Sequence, residues 1–178
     1  MNASVSIAGK TTSFDIMAIA FPYLDKPALE QLGITGWSFG MRDRVRFSEL
    51  DPLNHVNNAA YFGWFETVRI GYIMHFGISG MTHTDADPQL VVRRQTADYL
   101  APILFRDLYT VTIRTAQIKP SSLIMEFAIY MDGKVVAAGE TVMVSLTQDG
   151  SARETWRAEA IANIVEADGA KLIGFDPT

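Results

Sequence analysis

One helix sets the terms for the rest of this chain. From Asn57 onward, Tyr61, Phe65, Val68, Tyr72 and Phe76 recur at helical spacing, with Phe62, Glu66, Arg69 and Ile73 on the adjoining stripe. The first half is apolar on nearly every side, because Ala59, Ala60 and Trp64 fill the remaining positions. A helix of that kind has to be enclosed, so the other elements must supply a wrapping. Gly77 is its natural stop, and at 1.5 Å per residue the segment measures about 30 Å.

The residues just before the helix carry the polar chemistry. Asp51-Pro52 ends an extended run, since proline pushes its predecessor out of the helical region and has no amide hydrogen. Asn54, Asn57 and Asn58 are of the type that caps a first turn, and Asn54 also tolerates a left-handed conformation. A helix start presents unpaired N–H groups and about half a unit of positive charge, which stabilise a carbonyl oxygen that develops negative charge. Asp51 lies a few residues upstream. A carboxylate beside such a site can attack an activated acyl group or deprotonate a water that does. Alone, Asp51 reads as a turn residue before proline; at a junction with a buried helix it reads as catalytic.

The wrapping is legible as alternation. Trp37, Phe39, Met41, Val45 and Phe47 fall on one face of a strand, with Ser38, Arg42, Arg44, Arg46 and Ser48 on the other. Further strands are expected over residues 89–100, 108–118, 122–131 and 134–147, with Asp132-Gly133 as a hairpin signal and Gly139 as a bulge or close approach. Short connections favour antiparallel pairing, so the class is α+β: a long central helix on a curved antiparallel sheet of about five strands. The expected organisation is an N-terminal extension over 1–36, a main domain over 37–164 and a loose tail over 165–178. In the extension, residues 1–13 read as a loose end and 14–24 as apolar enough to pack. Asp25, Pro27 and Gly33 bound a short helix. A surface helix is expected within 151–164.

A chain of 178 residues fits one domain with one sizeable core. It has no cysteine, which removes disulfides, thiolate zinc sites and cysteine nucleophiles and suits the reducing cytoplasm. The histidines are His55, His75 and His83, with no i, i+4 pair, so no metal site is expected. The apolar run over 14–21 is too short, and too interrupted by Asp15, for a secretion signal or a membrane span. A net charge of −5 argues against nucleic acid or an anionic membrane as partner.

The run Arg46-Phe-Ser-Glu-Leu-Asp51-Pro-Leu-Asn-His-Val-Asn-Asn-Ala-Ala-Tyr61, with Phe65-Glu66 and Arg69 beyond it, resembles the signature of the hotdog-fold acyl-CoA thioesterases of the 4-hydroxybenzoyl-CoA thioesterase type. The resemblance covers roughly residues 37–146. It departs at Glu49, where the family more often has aspartate, and at Asn54, where it often has glycine. It implies a hydrolase that cleaves an acyl-CoA thioester to free acid and coenzyme A, the coenzyme being part of the substrate and no separate cofactor being required. It also implies that Asp51 is the catalytic carboxylate, that the amide of Asn58 polarises the thioester carbonyl, and that Lys119, Ser121 and Ser122 lie near the coenzyme's phosphates. A homodimer or homotetramer paired across a sheet edge is implied too.

Other residues keep two readings each. His55 and Asn57 either contact substrate or hydrogen-bond within the turn, and Tyr61 is either core or a substrate contact. Glu66 is a second acid near the site or, as the cost of an unpaired carboxylate favours, the partner of Arg69 or Arg46. The 119–122 segment is a phosphate seat or an ordinary hairpin connection. Two further functions compete with hydrolysis. An enoyl-thioester hydratase of this fold would show Asp-x-Asn-Pro-x-His, whereas Asp51-Pro-Leu-Asn-His55 has another order and one residue fewer. A non-catalytic acyl-thioester binding subunit would release no thiol.

Overall fold

The computed structural model describes residues 23–175 other than 83, 85 and 86. The loose end over 1–13, the apolar stretch up to residue 22, His83 and Asp85 lie outside the described residues. The short helix forms where its punctuation placed it. Strand β1 (Tyr23–Asp25) leads into α1 (Lys26–Gln31), the Asp25 carboxylate accepts from the Ala28 amide, and Gly33 takes φ +75°. Leu29 is wholly buried, and the Tyr23 hydroxyl donates to the Thr67 carbonyl, so this part of the extension is packed onto the main body.

Strand β2 (Phe39–Arg44) follows, then the long helix α2 (Asn58–His75). The remaining strands are β3 (Gln89–Tyr99), β4 (Leu108–Lys119), β5 (Ser122–Met131) and β6 (Lys134–Leu146), then α3 (Ala158–Asp168) and a final strand β7 (Lys171–Leu172). The sheet runs β1-β2-β4-β5-β6-β3, antiparallel throughout that path. β7 adds in parallel beside β4. This is the hotdog arrangement: one long helix held in the concavity of a curved antiparallel sheet.

The helix is enclosed as its composition demands. Phe65, Val68 and Tyr72 are fully buried; Phe65 stacks on Phe127 of β5 at 4.6 Å, and Trp64 stacks on Tyr109 of β4 at 4.0 Å. Gly139 on β6 is the close approach its sequence suggested, since a Cβ there would lie 2.7 Å from the Phe65 ring. Asp132 and Gly133 both take positive φ, the conformation of a tight two-residue hairpin.

Three expectations need correction. Among the described residues the sheet has seven strands, not about five, because the short β1 and β7 extend it at β2 and β4. The first strand stops at Arg44, and a 3-10 turn over Phe47–Glu49 breaks the alternation, leaving Phe47 76% exposed and off the buried face that Phe39, Met41 and Val45 share. The tail is not loose through Leu172. α3 continues to Asp168, buries Ala160 and Ile164 in the main core, and delivers β7 to its partner.

Candidate active site

The segment between β2 and α2 is a closed loop. Leu50 and Val56 form a bridge, the Asp51 amide donates to the His55 carbonyl at 2.8 Å, and the Asn54 amide returns to the Asp51 carbonyl at 3.0 Å. Asn54 turns the chain at φ 61°, a conformation that asparagine accepts more readily than most residues. The loop is pinned from outside as well: the Val56 amide donates to the Ile103 carbonyl and the Asn57 amide to the Glu49 carbonyl.

This folding aims the Asp51 carboxylate. Its Oδ1 accepts from the Leu53 amide at 2.8 Å and the His55 amide at 3.1 Å. Among the described residues Oδ2 has no donor, so one oxygen anchors the group and the other is available to a substrate or a water. At the helix mouth, Asn57 Oδ1 caps the Ala59 amide at 2.9 Å, and the Asn57 carbonyl takes the Ala60 amide. The Asn58 amide, the first of the helix, has no acceptor among the described residues.

Both groups open into one cleft of about 440 Å³, lined on the polar side by Asp51, His55, Asn57 and Asn58 and on the other by Tyr61, Tyr99, Leu100, Pro102 and Ile103. An activated carbonyl seated there would have a carboxylate on one side and an amide at the positive end of a helix on the other. Tyr61 is buried between the rings of Trp64 and Tyr99, at centroid distances of 5.1 and 4.8 Å. Burial first, and the neighbouring Tyr99 second, push its phenol up to about 12. It is therefore a neutral wall at ordinary pH.

The structure thus brings Asp51, His55, Asn57, Asn58 and Tyr61 together. Asn57 is committed through its side-chain oxygen to the cap, which leaves only its NH2 group for a ligand. It does not bring Glu66 to the cleft: that carboxylate lies 3.9 Å from the guanidinium of Arg69, one of the two partners expected for it, but it is exposed, so the cost of burial is not what pairs it. Nor does it bring Lys119, Ser121 and Ser122 there within one chain. β4 starts at Leu108, opposite Arg44, and Lys119 ends it at the far end of the sheet. The rise from the first to the last of its 12 residues, at about 3.3 Å per step, puts that turn roughly 36 Å along the strand. At the turn, Ser121 Oγ accepts from Arg153 and the Lys119 carbonyl from the Trp156 indole.

The apolar wall of Tyr99, Leu100, Pro102 and Ile103 was not anticipated as part of a site, because in sequence it marks only the end of a strand. Among the described residues no three His, Cys, Asp or Glu side chains are grouped to hold a metal ion, and no helix is long and apolar enough to cross a membrane.

Known proteins carry the same fold. An uncharacterized protein of Bacillus subtilis, YsmA, is 30% identical over 138 residues, or 77% of this chain and 90% of that one. A crystal structure of a thioesterase-superfamily protein from a Jannaschia species is 32% identical with a TM-score of 0.79, covering 85% of this chain and 96% of its own. A thioesterase from Thermus thermophilus, crystallised with coenzyme A and zinc, is 34% identical with a TM-score of 0.65, covering 76% and 98%. The family model of the thioesterase-like superfamily matches residues 45–164, from the residue after β2 to a point within α3. By that match, by these relatives and by its fold, the chain belongs to the thioesterase-like superfamily.

Proposed function

We propose that the protein hydrolyses an acyl-CoA thioester to the free acid and coenzyme A, with Asp51 delivering the oxygen and the Asn58 amide holding the oxyanion. The observation that carries this reading is the division of labour at Asp51: Oδ1 is fixed by two backbone amides, Oδ2 has no donor among the described residues, and Asp51 lines the same cleft as Asn58 at the helix mouth. The Thermus relative crystallised with coenzyme A supports the coenzyme as the thiol half of the substrate.

Two routes use this geometry. In the first, Oδ2 bonds to the thioester carbon, the carbonyl oxygen becomes negative against the Asn58 amide, and collapse breaks the C–S bond. The thiolate leaves and takes a proton, and water then cleaves the mixed anhydride. In the second, Oδ2 takes a proton from water as it adds to the same carbon, and the proton passes to the departing sulfur. Both give one acid and one thiol.

We further place the working unit as a homodimer. Strand β3 is the long open edge of the sheet, with β6 as its only strand neighbour among the described residues; the opposite end is the three-residue β1. Its last residue, Tyr99, lines the cleft. Antiparallel pairing of two β3 edges would bring the far end of one sheet beside the cleft end of the other. The 119–122 turn of the partner would then stand on the side of Asp51, where an extended coenzyme could reach it.

The test is thiol release across short, long and aromatic acyl-CoAs. Asp51→Asn is expected to lower kcat at least 100-fold with KM changed little, since the group acts on the reacting carbon and not on binding. A variant as fast as wild type would overturn the role. Single-turnover reaction in 18O water separates the routes, because only the anhydride route leaves label in the Asp51 carboxylate.

A further inference from the structure

Two residues before Asp51, a second carboxylate is used up entirely inside the protein. Glu49 has a side chain only 15% exposed. Its Oε1 accepts from the indole N–H of Trp64 at 2.8 Å, and its Oε2 accepts from the Arg46 amide at 2.7 Å. Its carbonyl takes the amide of Asn57, the residue that caps α2. One residue therefore grips the helix twice, at its cap and at Trp64 two turns further in, while its chain continues directly into the Asp51 loop.

Trp64 is a rigid anchor for that grip. It is buried, stacked at 4.0 Å on Tyr109 and in contact with Tyr61. The other end is braced by Arg46, whose guanidinium sits 2.6 Å from Asp43 and 3.5 Å from Glu49 Oε1. The Tyr109 hydroxyl, which feels the charges of Asp43 and Glu49, has no hydrogen-bond partner among the described residues. None of Glu49, Arg46 and Trp64 lines the cleft.

We propose that Glu49 is a positioning residue, a clamp that sets the separation between the Asp51 carboxylate and the Asn58 amide. This rests on the reading of those two groups as the reacting pair. The loop's internal hydrogen bonds fix its shape, but they do not fix where the loop stands relative to the helix. The contacts from Glu49 to Asn57 and Trp64 do. A near-attack arrangement tolerates little displacement, so loosening the clamp acts on turnover before it acts on binding.

Glu49→Gln has one acceptor oxygen for two donors, the Trp64 indole and the Arg46 amide, so whichever way its amide turns, the Trp64–Glu49–Arg46 link is broken at one end. Trp64→Phe keeps a ring on Tyr109 and removes the donor. Each is expected to lower kcat about 10-fold or more with KM within about 2-fold, and the double variant to fall no further than the worse single one, because both break the same link. Multiplicative losses, or an unchanged kcat in either single variant, would overturn the proposal. An amide-resolved 1H–15N spectrum gives a readout independent of turnover. The indole peak lost in Trp64→Phe should move in Glu49→Gln, and the Leu53, His55 and Asn58 amides should move with it. Should wild type release no thiol from any acyl-CoA, hydrolysis fails as the function, and the clamp is judged on those shifts alone: an unmoved loop would sink it.

Discussion

At the scale of single residues, the site is built from positions whose conformation leaves few alternatives. Asn54 sits at φ 61° and Asn57 spends its side chain on the cap, so the loop's shape follows from residue types that the sequence displays openly. Asn54→Gly is accordingly expected to change stability by a few tenths of a kcal/mol only, whereas Asn57→Ala should cost about 1 kcal/mol through the lost cap. Gly139 is the opposite case. A Cβ there would meet the Thr96 carbonyl at 2.6 Å and the Phe65 ring at 2.7 Å. Gly139→Ala should therefore cost about 1–3 kcal/mol as overpacking, and urea unfolding of the variants would show it. An alanine tolerated at 139 would mean that the helix stands further from β6 than described. The place of Asp51 in a turn was legible because its anchors, Leu53 and His55, are its own neighbours. Glu49 was not, because its partner Trp64 is supplied by a helix whose rotation about its axis no sequence pattern fixes.

At the scale of elements, apolar periodicity located α2 and the long strands to within a residue or two, and missed what holds the ends together. α3 was expected on the surface, yet its last residue closes a buried polar knot. The Asp168 carboxylate accepts from the Tyr72 hydroxyl at 2.5 Å, from the Thr115 amide at 2.7 Å and from Ser38. It thereby ties the C-terminal helix to α2, to β4 and to the segment before β2. A single aspartate at a helix end carries no signal of this in sequence, since the donors come from three distant segments. Burial raises the Asp168 carboxyl above its ordinary value, against hydrogen bonds from Ser38, Tyr72 and Thr115 and the charge of Arg114, which lower it. The folded chain then holds this proton to higher pH than the unfolded chain does. Its contribution to stability is complete below the unfolded carboxylate pKa and is lost as pH rises through the folded value. Asp168→Asn cannot titrate, so the stability difference, wild type minus variant, should fall just above the ordinary carboxylate range and then level off. Denaturant unfolding at a series of pH values checks this, and a difference flat with pH would show that the carboxyl does not carry the raised value in the folded state.

At the scale of the whole molecule, the proposed dimer makes the cleft a half-site. Its polar floor comes from one chain, while the basic turn that the resemblance assigns to the coenzyme's phosphates lies at the other end of the same sheet. No sequence pattern could show this, because alternation marks a strand's two faces and says nothing about which strand ends a sheet. The order of strands among the described residues does: β3 is the long edge, it carries the half-exposed Val91 and Val92, and its direction relative to β4 decides what a second copy would bring near. An unpaired edge of eleven residues is a ready template for another strand. Val92→Lys should leave the fold intact and shift the protein toward monomer in sedimentation velocity, with loss of thiol release. Complementation is the sharper measurement. If Asp51 and the 119–122 turn act across the pair, Asp51→Asn and a Lys119→Glu/Ser121→Ala variant are each deficient alone. Unfolding and refolding them together at equal concentration makes half of the dimers mixed, each with one intact site, so activity should return to about one quarter of wild type. Were both groups used from the same chain, a mixed dimer would contain no intact site at all. The mixture would then be no more active than its parts.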